Sequence, residues 1–211
     1  MNQEKFHIPT FRHQIALWLF WVFPQILLVA LCNSRAMGEE DKNSDIDLFI
    51  ITKKWQLWTS RFLVTCISSI LGIRRWNTHG LIKWSPEYIK TTKDRFCLSF
   101  FITEEAMNLD TIRIENDIYL DKWVETLVPL ADKGNILKRF WEANKKPPII
   151  HSSLFIRHSI IEIIIKSFWL PRTLRTYQKL GKPWWVIISD AMLKFHDNDQ
   201  RKVYRDKYIK E

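Results

Sequence analysis

Apolar positions along this chain change their period several times, and each change predicts an element. Residues 10–22 carry apolar side chains at helical spacing behind Thr10, a residue type suited to an N-cap, which predicts a helix. Residues 26–32, ILLVALC, are short and uniformly apolar, as in a strand buried on both faces. A polar stretch with Gly38 follows. Residues 44–52, SDIDLFIIT, then alternate before becoming continuously apolar, which predicts a second buried strand. Residues 54–70 are amphipathic and predict a helix closed by Gly72. The basic, Trp-containing connection over 73–93 gives no clear assignment. Residues 95–102, RFCLSFFI, predict a third strand. Beyond it, spacings of three and four predict helices over 117–132, 135–144, 151–178 and 184–210. Lys145-Lys146-Pro147-Pro148 is the best linker signal, and Gly181-Lys182-Pro183 separates the last two helices.

The order is helix, strand, strand, helix, strand, then several helices. It predicts an α+β fold with a small mixed sheet and flanking helices, followed by a C-terminal helical part. The expected division is a first domain over 1–146 and a helical extension over 147–211. The first extension helix, over 151–178, carries a wide apolar row, with Ile160, Ile161, Ile164, Ile165, Phe168 and Trp169. Such a row needs a cover, inside the chain or across a homodimer formed through the C-terminal helices.

Residues 15–32 hold eighteen residues without a charge, close to the length that spans a bilayer. Pro24-Gln25 in the middle breaks a helix there, and the two halves differ in character. No membrane span is therefore expected. Glu4 and the lack of a small-residue cleavage site also disfavour a signal peptide. Cys32, Cys66 and Cys97 lie in apolar runs and read as buried reduced thiols, so a cytoplasmic location is expected.

With 211 residues, 46% hydrophobic and 26% charged, the chain is long enough for a globular core. The net charge is +9, unevenly spread. Residues 53–95 hold nine Lys and Arg against Glu87 and Asp94, whereas 96–132 are acidic. A basic protein with a concentrated acidic pair suits an anionic ligand with a cation between the two. Nucleic acid is compatible with this charge, but no reader motif is present.

The acidic pair is Asp45-x-Asp47. On a strand, i and i+2 share a face, so two carboxylates project side by side from an otherwise apolar strand. Close like charges need a cation between them, and Mg²⁺ commonly takes one or two carboxylates plus phosphate oxygens. Upstream, at the end of the preceding strand, stands Asn33-Ser34-Arg35-Ala36-Met37-Gly38. A hydroxyl residue in such a strand-to-helix turn can offer its Oγ and backbone N–H groups to a phosphate.

The segment LLVALCNSRAMGEEDKNSDIDLFIIT resembles the active-site signature of the DNA polymerase β-like nucleotidyltransferase superfamily, most of all the minimal nucleotidyltransferase domain. That signature is a strand, a Gly-Ser pair, a short helix often ending in Gly, and S-D-h-D-h on the next strand. The likeness covers about 30 residues at motif strength. GNILKRFWEAN and LKFHDNDQR are also similar to a group of bacterial nucleotidyltransferase-domain proteins. The resemblance implies that Asp45 and Asp47 hold Mg²⁺ or Mn²⁺ against a nucleoside triphosphate. It implies that Ser34 contacts a terminal phosphate and that Asn33 shapes the turn. A nucleoside monophosphate would pass to an unidentified acceptor with release of pyrophosphate.

Two positions depart from the pattern. Asn33 stands where the signature has Gly, although Asn tolerates left-handed backbone. The third strand, RFCLSFFI, lacks the carboxylate that commonly acts there as general base. Cys97 and Ser99 take the same-face positions, and Glu104 and Glu105 lie just beyond the strand. A second function therefore stands beside transfer: a catalytically weak relative that binds nucleotide or an acidic partner.

Other residues carry less. Lys53 and Lys54 follow the acidic strand, as triphosphate ligands or as a solvated helix start. His151 and His158 suit core or surface positions better than ligation. His196, Asp197 and Asp199 sit in a polar stretch that suits a helix cap or break better than a metal site. The eleven tryptophans, Trp184-Trp185 among them, suit packing or a subunit interface.

Overall fold

The computed structural model describes residues 10–76, 85–145, 159–195, 199 and 201–208. Chain order gives α1 (Phe11–Val22), β1 (Ile26–Leu31), α2 (Asn33–Met37), β2 (Ile46–Thr52), α3 (Leu57–Ile70), α4 (Pro86–Thr92) and β3 (Phe96–Thr103). Then come α5 (Ile118–Thr126), β4 (Val128–Asp132), α6 (Ile136–Lys145), α7 (Ile160–Lys179), β5 (Ile187–Ile188), β6 (Met192–Lys194) and α8 (Arg201–Tyr208). The fold is mixed α+β, as the element order predicts.

One sheet runs β4-β1-β2-β3-β6-β5. Its β2–β3 pair is parallel and the other pairs are antiparallel. Every residue of β1 and β2 is buried, which explains their nearly unbroken apolar runs. Alternate residues supply two cores. On one face Phe49 packs against Trp123 of α5 and Phe140 of α6, with ring centroids 5.0 and 5.2 Å away. On the other, Val29, Ile50 and Phe101 pack under Phe20 of α1 and Trp58 of α3. Truncating a buried ring such as Phe49 to Ala costs about 3–5 kcal/mol in a core of this kind.

The apolar stretch over 15–32 divides at Pro24 into α1 and β1, and among the described residues no helix is long and apolar enough to cross a membrane. Gly38 closes α2 in the left-handed conformation at φ 71°, where a side chain would be strained. Within the connection over 73–93, α4 begins conventionally. Ser85 accepts from Tyr88 N at 3.2 Å, and Pro86 takes the first turn, where its missing N–H is harmless.

Two expected helices are otherwise. The helix expected over 117–132 stops at Thr126, and Val128–Asp132 forms β4. Pro129 would clash inside a helix, but β4 is an edge strand, where a missing donor is tolerated. The helix expected over 184–210 is replaced, within the described residues, by β5, β6 and α8. Ser189 builds the turn responsible: its N–H donates to Met192 O and its Oγ accepts from Met192 N, both at 2.9 Å. That turn folds β6 against the open edge of β3.

α7 covers the α3 side of the sheet. Ile165 and Trp169 pack inward, whereas Ile160, Ile161, Ile164 and Phe168 are exposed. Glu162 is buried and caps α3, accepting from Trp58 N and Thr59 N, each at 2.8 Å. Residues 146–158, with the expected boundary at 146/147, His151 and His158, lie outside the described residues, as do His196 and Asp197.

Candidate active site

The site forms where β1 ends and β2 begins. Cys32 N donates to Asp47 O at 3.0 Å, which brings the turn after β1 beside the acidic strand. Asn33 opens α2 at φ 57°, the left-handed backbone that Asn accepts more readily than most residues. Its Oδ1 accepts from Trp123 Nε1 at 2.8 Å, and its amide hydrogen-bonds the Asp47 carboxylate. Ser34 follows in the same turn, and its carbonyl receives Gly38 N and, at 2.8 Å, Glu39 N. Asn33, Ser34 and Asp47 are thus brought together as the strand-turn-strand pattern requires.

Asp45 immediately precedes β2, and Asp47 lies within it, 9% exposed. β3 runs parallel to β2 and places Cys97 opposite Asp47. One ligand atom from each of Asp45, Asp47 and Cys97 falls within 4.8 Å of the others. Among the described residues this is the grouping of His, Cys, Asp and Glu compact enough to hold a metal ion.

Two arginines complete it. Arg35 of α2 donates Nε to Asp45 O at 2.8 Å and Nη2 to Ser44 O at 2.6 Å and Asp94 Oδ1 at 2.7 Å. It clamps the turn after β1 to the start of β2. Arg75 donates Nη1 to Asp45 Oδ2 at 2.7 Å and lies 3.6 Å from Cys97 Sγ. Sequence reading passed over both. Arg35 is the basic residue inside NSRAMG, a usable signal. Arg75 is 30 residues from Asp45 and arrives through an isolated bridge between Arg74 and Phe96, which no local pattern announces.

Burial first, and then the Asp45 charge, push the Asp47 carboxyl up to about 7, while hydrogen bonds from Cys97 and Asn33 and the Arg75 charge act against them. Burial and the two carboxylates push the Cys32 and Cys97 thiols well above the ordinary range. Cys97 is therefore a neutral thiol near pH 7 and no general base.

The donor set fits a hard divalent cation in part. Asp45 and Asp47 supply the two carboxylates that Mg²⁺ or Mn²⁺ takes beside substrate phosphates. The Cys97 thiol is soft and protonated, a poor third ligand for such an ion. Glu104 and Glu105 do not replace it. They follow Thr103, which pairs with Thr52 at the other end of the two parallel strands, six residues or about 20 Å along from Cys97. Lys53 and Lys54 are at that far end too, with Lys54 paired to Glu105 at 2.5 Å. Asp199 is also elsewhere, accepting from Lys194 and Arg201.

No family model matches the chain, and no curated protein matches it. Among solved structures it is similar to one described as "Crystal structure of the toxin-antitoxin with AMP-PNP", at 11% identity and a TM-score of 0.34, over 82% of this chain and 99% of that chain. A likeness of that size fixes neither the family nor the activity of this chain.

Proposed function

We propose that this chain is a metal-dependent nucleotidyltransferase, moving a nucleoside monophosphate from a nucleoside triphosphate to an acceptor hydroxyl. The observation that carries the reading is the convergence of Asp45 and Asp47 beside the Asn33–Ser34 turn. Asp45 and Asp47 would hold Mg²⁺ or Mn²⁺, which supplies charge neutralisation of the triphosphate when bound. Ser34 Oγ and the N–H groups of its turn receive a phosphate, and Asn33 fixes the turn through Trp123 and Asp47. The acceptor oxygen attacks the α-phosphorus, the bond to the β-phosphate bridge breaks, pyrophosphate leaves, and the acceptor proton passes to solvent. Positioning and charge stabilisation supply most of such a rate.

A second reading is favoured by Cys97 and Arg75: nucleotide binding without transfer. The third carboxylate is replaced by a neutral thiol, and a guanidinium occupies Asp45. Pyrophosphate release with Mg²⁺ and each nucleoside triphosphate, run beside calorimetric binding, separates the two. Release that is lost in Asp45→Asn and Asp47→Asn supports transfer. Mg²⁺-dependent binding with no release supports the second reading, and absence of both sinks the site. A homodimer covering Ile160, Ile161, Ile164 and Phe168 belongs to the same proposal, and light scattering showing a monomer removes it.

A further inference from the structure

Arg61 stands in the core-facing row of α3. Leu57 and Val64 precede and follow it by a turn, and Ser68 lies seven residues on, so all four share one face. The Arg61 guanidinium lies 4.3 Å from the Phe195 ring centroid and 5.6 Å from that of Phe101. Its Nε and Nη1 are buried and have no hydrogen-bond partner, and the same holds for Ser68 Oγ.

Arg74 returns to this helix, its N–H donating to Ser68 O at 3.1 Å. Adjacent residues of an extended segment point to opposite faces. Arg75 reaches Asp45, and Arg74 lies on the α3 side, where its charge acts on Arg61. Among the described residues no carboxylate pairs with Arg61 or Arg74. Burial, and then the neighbouring cation, hold the Arg61 guanidinium down at about 9. Burial lowers Arg74 in the same way.

A buried cation facing a second cation, with donors unfilled, is costly unless an anion completes it. Buried polar groups are otherwise almost always paired. Guanidinium forks and a hydroxyl are the donors that tetrahedral oxyanions take. Each arginine keeps part of its surface in solvent, although Arg61 Nε and Nη1 and Ser68 Oγ do not. We propose that Arg61, Arg74 and Ser68 form a binding site for a phosphate-type oxyanion between α3 and the strand edge at Phe195. Phe101 belongs to the α3-side core and Phe49, two residues beyond Asp47, to the other core. The site is therefore on the opposite face of the sheet from Asp45 and Asp47, and independent of them.

Thermal melting with inorganic phosphate, against chloride at equal ionic strength, tests this. Wild type rises with the logarithm of phosphate concentration, by about 5 °C or more at a hundredfold excess over Kd. Arg61→Met loses the response and melts above wild type in chloride, because an unpaired buried charge has gone. Arg74→Gln, at a half-exposed position, weakens phosphate binding at least threefold and carries the test should Arg61→Met fail to fold. The Asp45→Asn/Asp47→Asn double variant keeps the full response, which separates this site from the triphosphate site. Equal melting of wild type in the two salts, a response that survives in Arg61→Met, phosphate affinity undiminished in Arg74→Gln, or a response that disappears in the aspartate double variant, overturns the proposal.

Discussion

Arg75 Nη1 lies 2.7 Å from Asp45 Oδ2 and 3.6 Å from Cys97 Sγ, so a guanidinium sits against the carboxylate proposed to bind metal. Both partners of the pair are mostly buried, at 18% and 17% side-chain exposure. A cation there neutralises part of the repulsion between Asp45 and Asp47. It also competes with an incoming divalent ion.

Replacing Arg75 with Met removes the competitor and leaves the two carboxylates facing each other. Mn²⁺ affinity without nucleotide is expected to rise threefold or more, about 0.7 kcal/mol. Titration followed by electron paramagnetic resonance measures it. Weaker Mn²⁺ binding in Arg75→Met would show that the arginine supports the ion instead of displacing it.

Trp123 acts on the same site from α5. Its Nε1–H holds Asn33 Oδ1 at 2.8 Å, and Asn33 in turn holds Asp47. Trp123→Phe keeps most of the buried ring and removes that donor, at about 1 kcal/mol of stability. Triphosphate affinity is expected to fall threefold or more while the fold persists. Unchanged affinity would show that the turn is set by Asn33 alone.

Glu162 links α7 to the first turn of α3. Its two oxygens accept from Trp58 N, Thr59 N and Thr59 Oγ1. Glu162→Ala leaves those amides buried and unpaired, and a loss of about 3 kcal/mol is expected in urea unfolding, with Glu162→Gln losing less because one oxygen still accepts. A loss below about 1 kcal/mol in Glu162→Ala would contradict the capping role.

Asp199 couples α8 to β6. Burial alone would raise its pKa, but Arg201 and Lys194 outweigh it and hold the carboxyl well below the ordinary range. A depressed folded-state pKa gives stability that is present above the unfolded value of 3.8 and lost as pH falls through the folded one. Wild type should therefore weaken progressively from about pH 5 downward, as unfolded chains take up the proton first. Asp199→Asn should be less stable at pH 7, by about 3 kcal/mol because buried Lys194 loses its carboxylate and Arg201 keeps only Asp117, and flatter in acid. Parallel pH profiles of unfolding free energy for the two proteins would contradict this.

Much of the site was legible because its chemistry is local. Asp45-x-Asp47 needs only the period of a strand, and the Asn33 to Gly38 turn carries its own backbone requirements. The central strands were legible from ILLVAL and IDLFIIT because burial on both faces removes polar residues. Elements decided by distant pairing were not. β5 and β6 are short and take their conformation from the free edge of β3, and α5 gives way to β4 through the backbone chemistry of Pro129. Arg75 is assigned by the bridge of Arg74 to Phe96. The orientation of β3 was the missing fact for Glu104 and Glu105: only a parallel pairing with β2 takes them to the far end.

The most direct test of the central claim is calorimetric titration of a non-hydrolysable nucleoside triphosphate, with and without Mg²⁺, into wild type, Asp45→Asn and Asp47→Asn. Each substitution removes one negative charge at nearly constant shape. Wild type should bind in a Mg²⁺-dependent manner, and each variant should bind at least tenfold more weakly, about 1.4 kcal/mol. Mg²⁺-dependent binding of equal strength in all three proteins would contradict the assignment of Asp45 and Asp47 as the metal-triphosphate site.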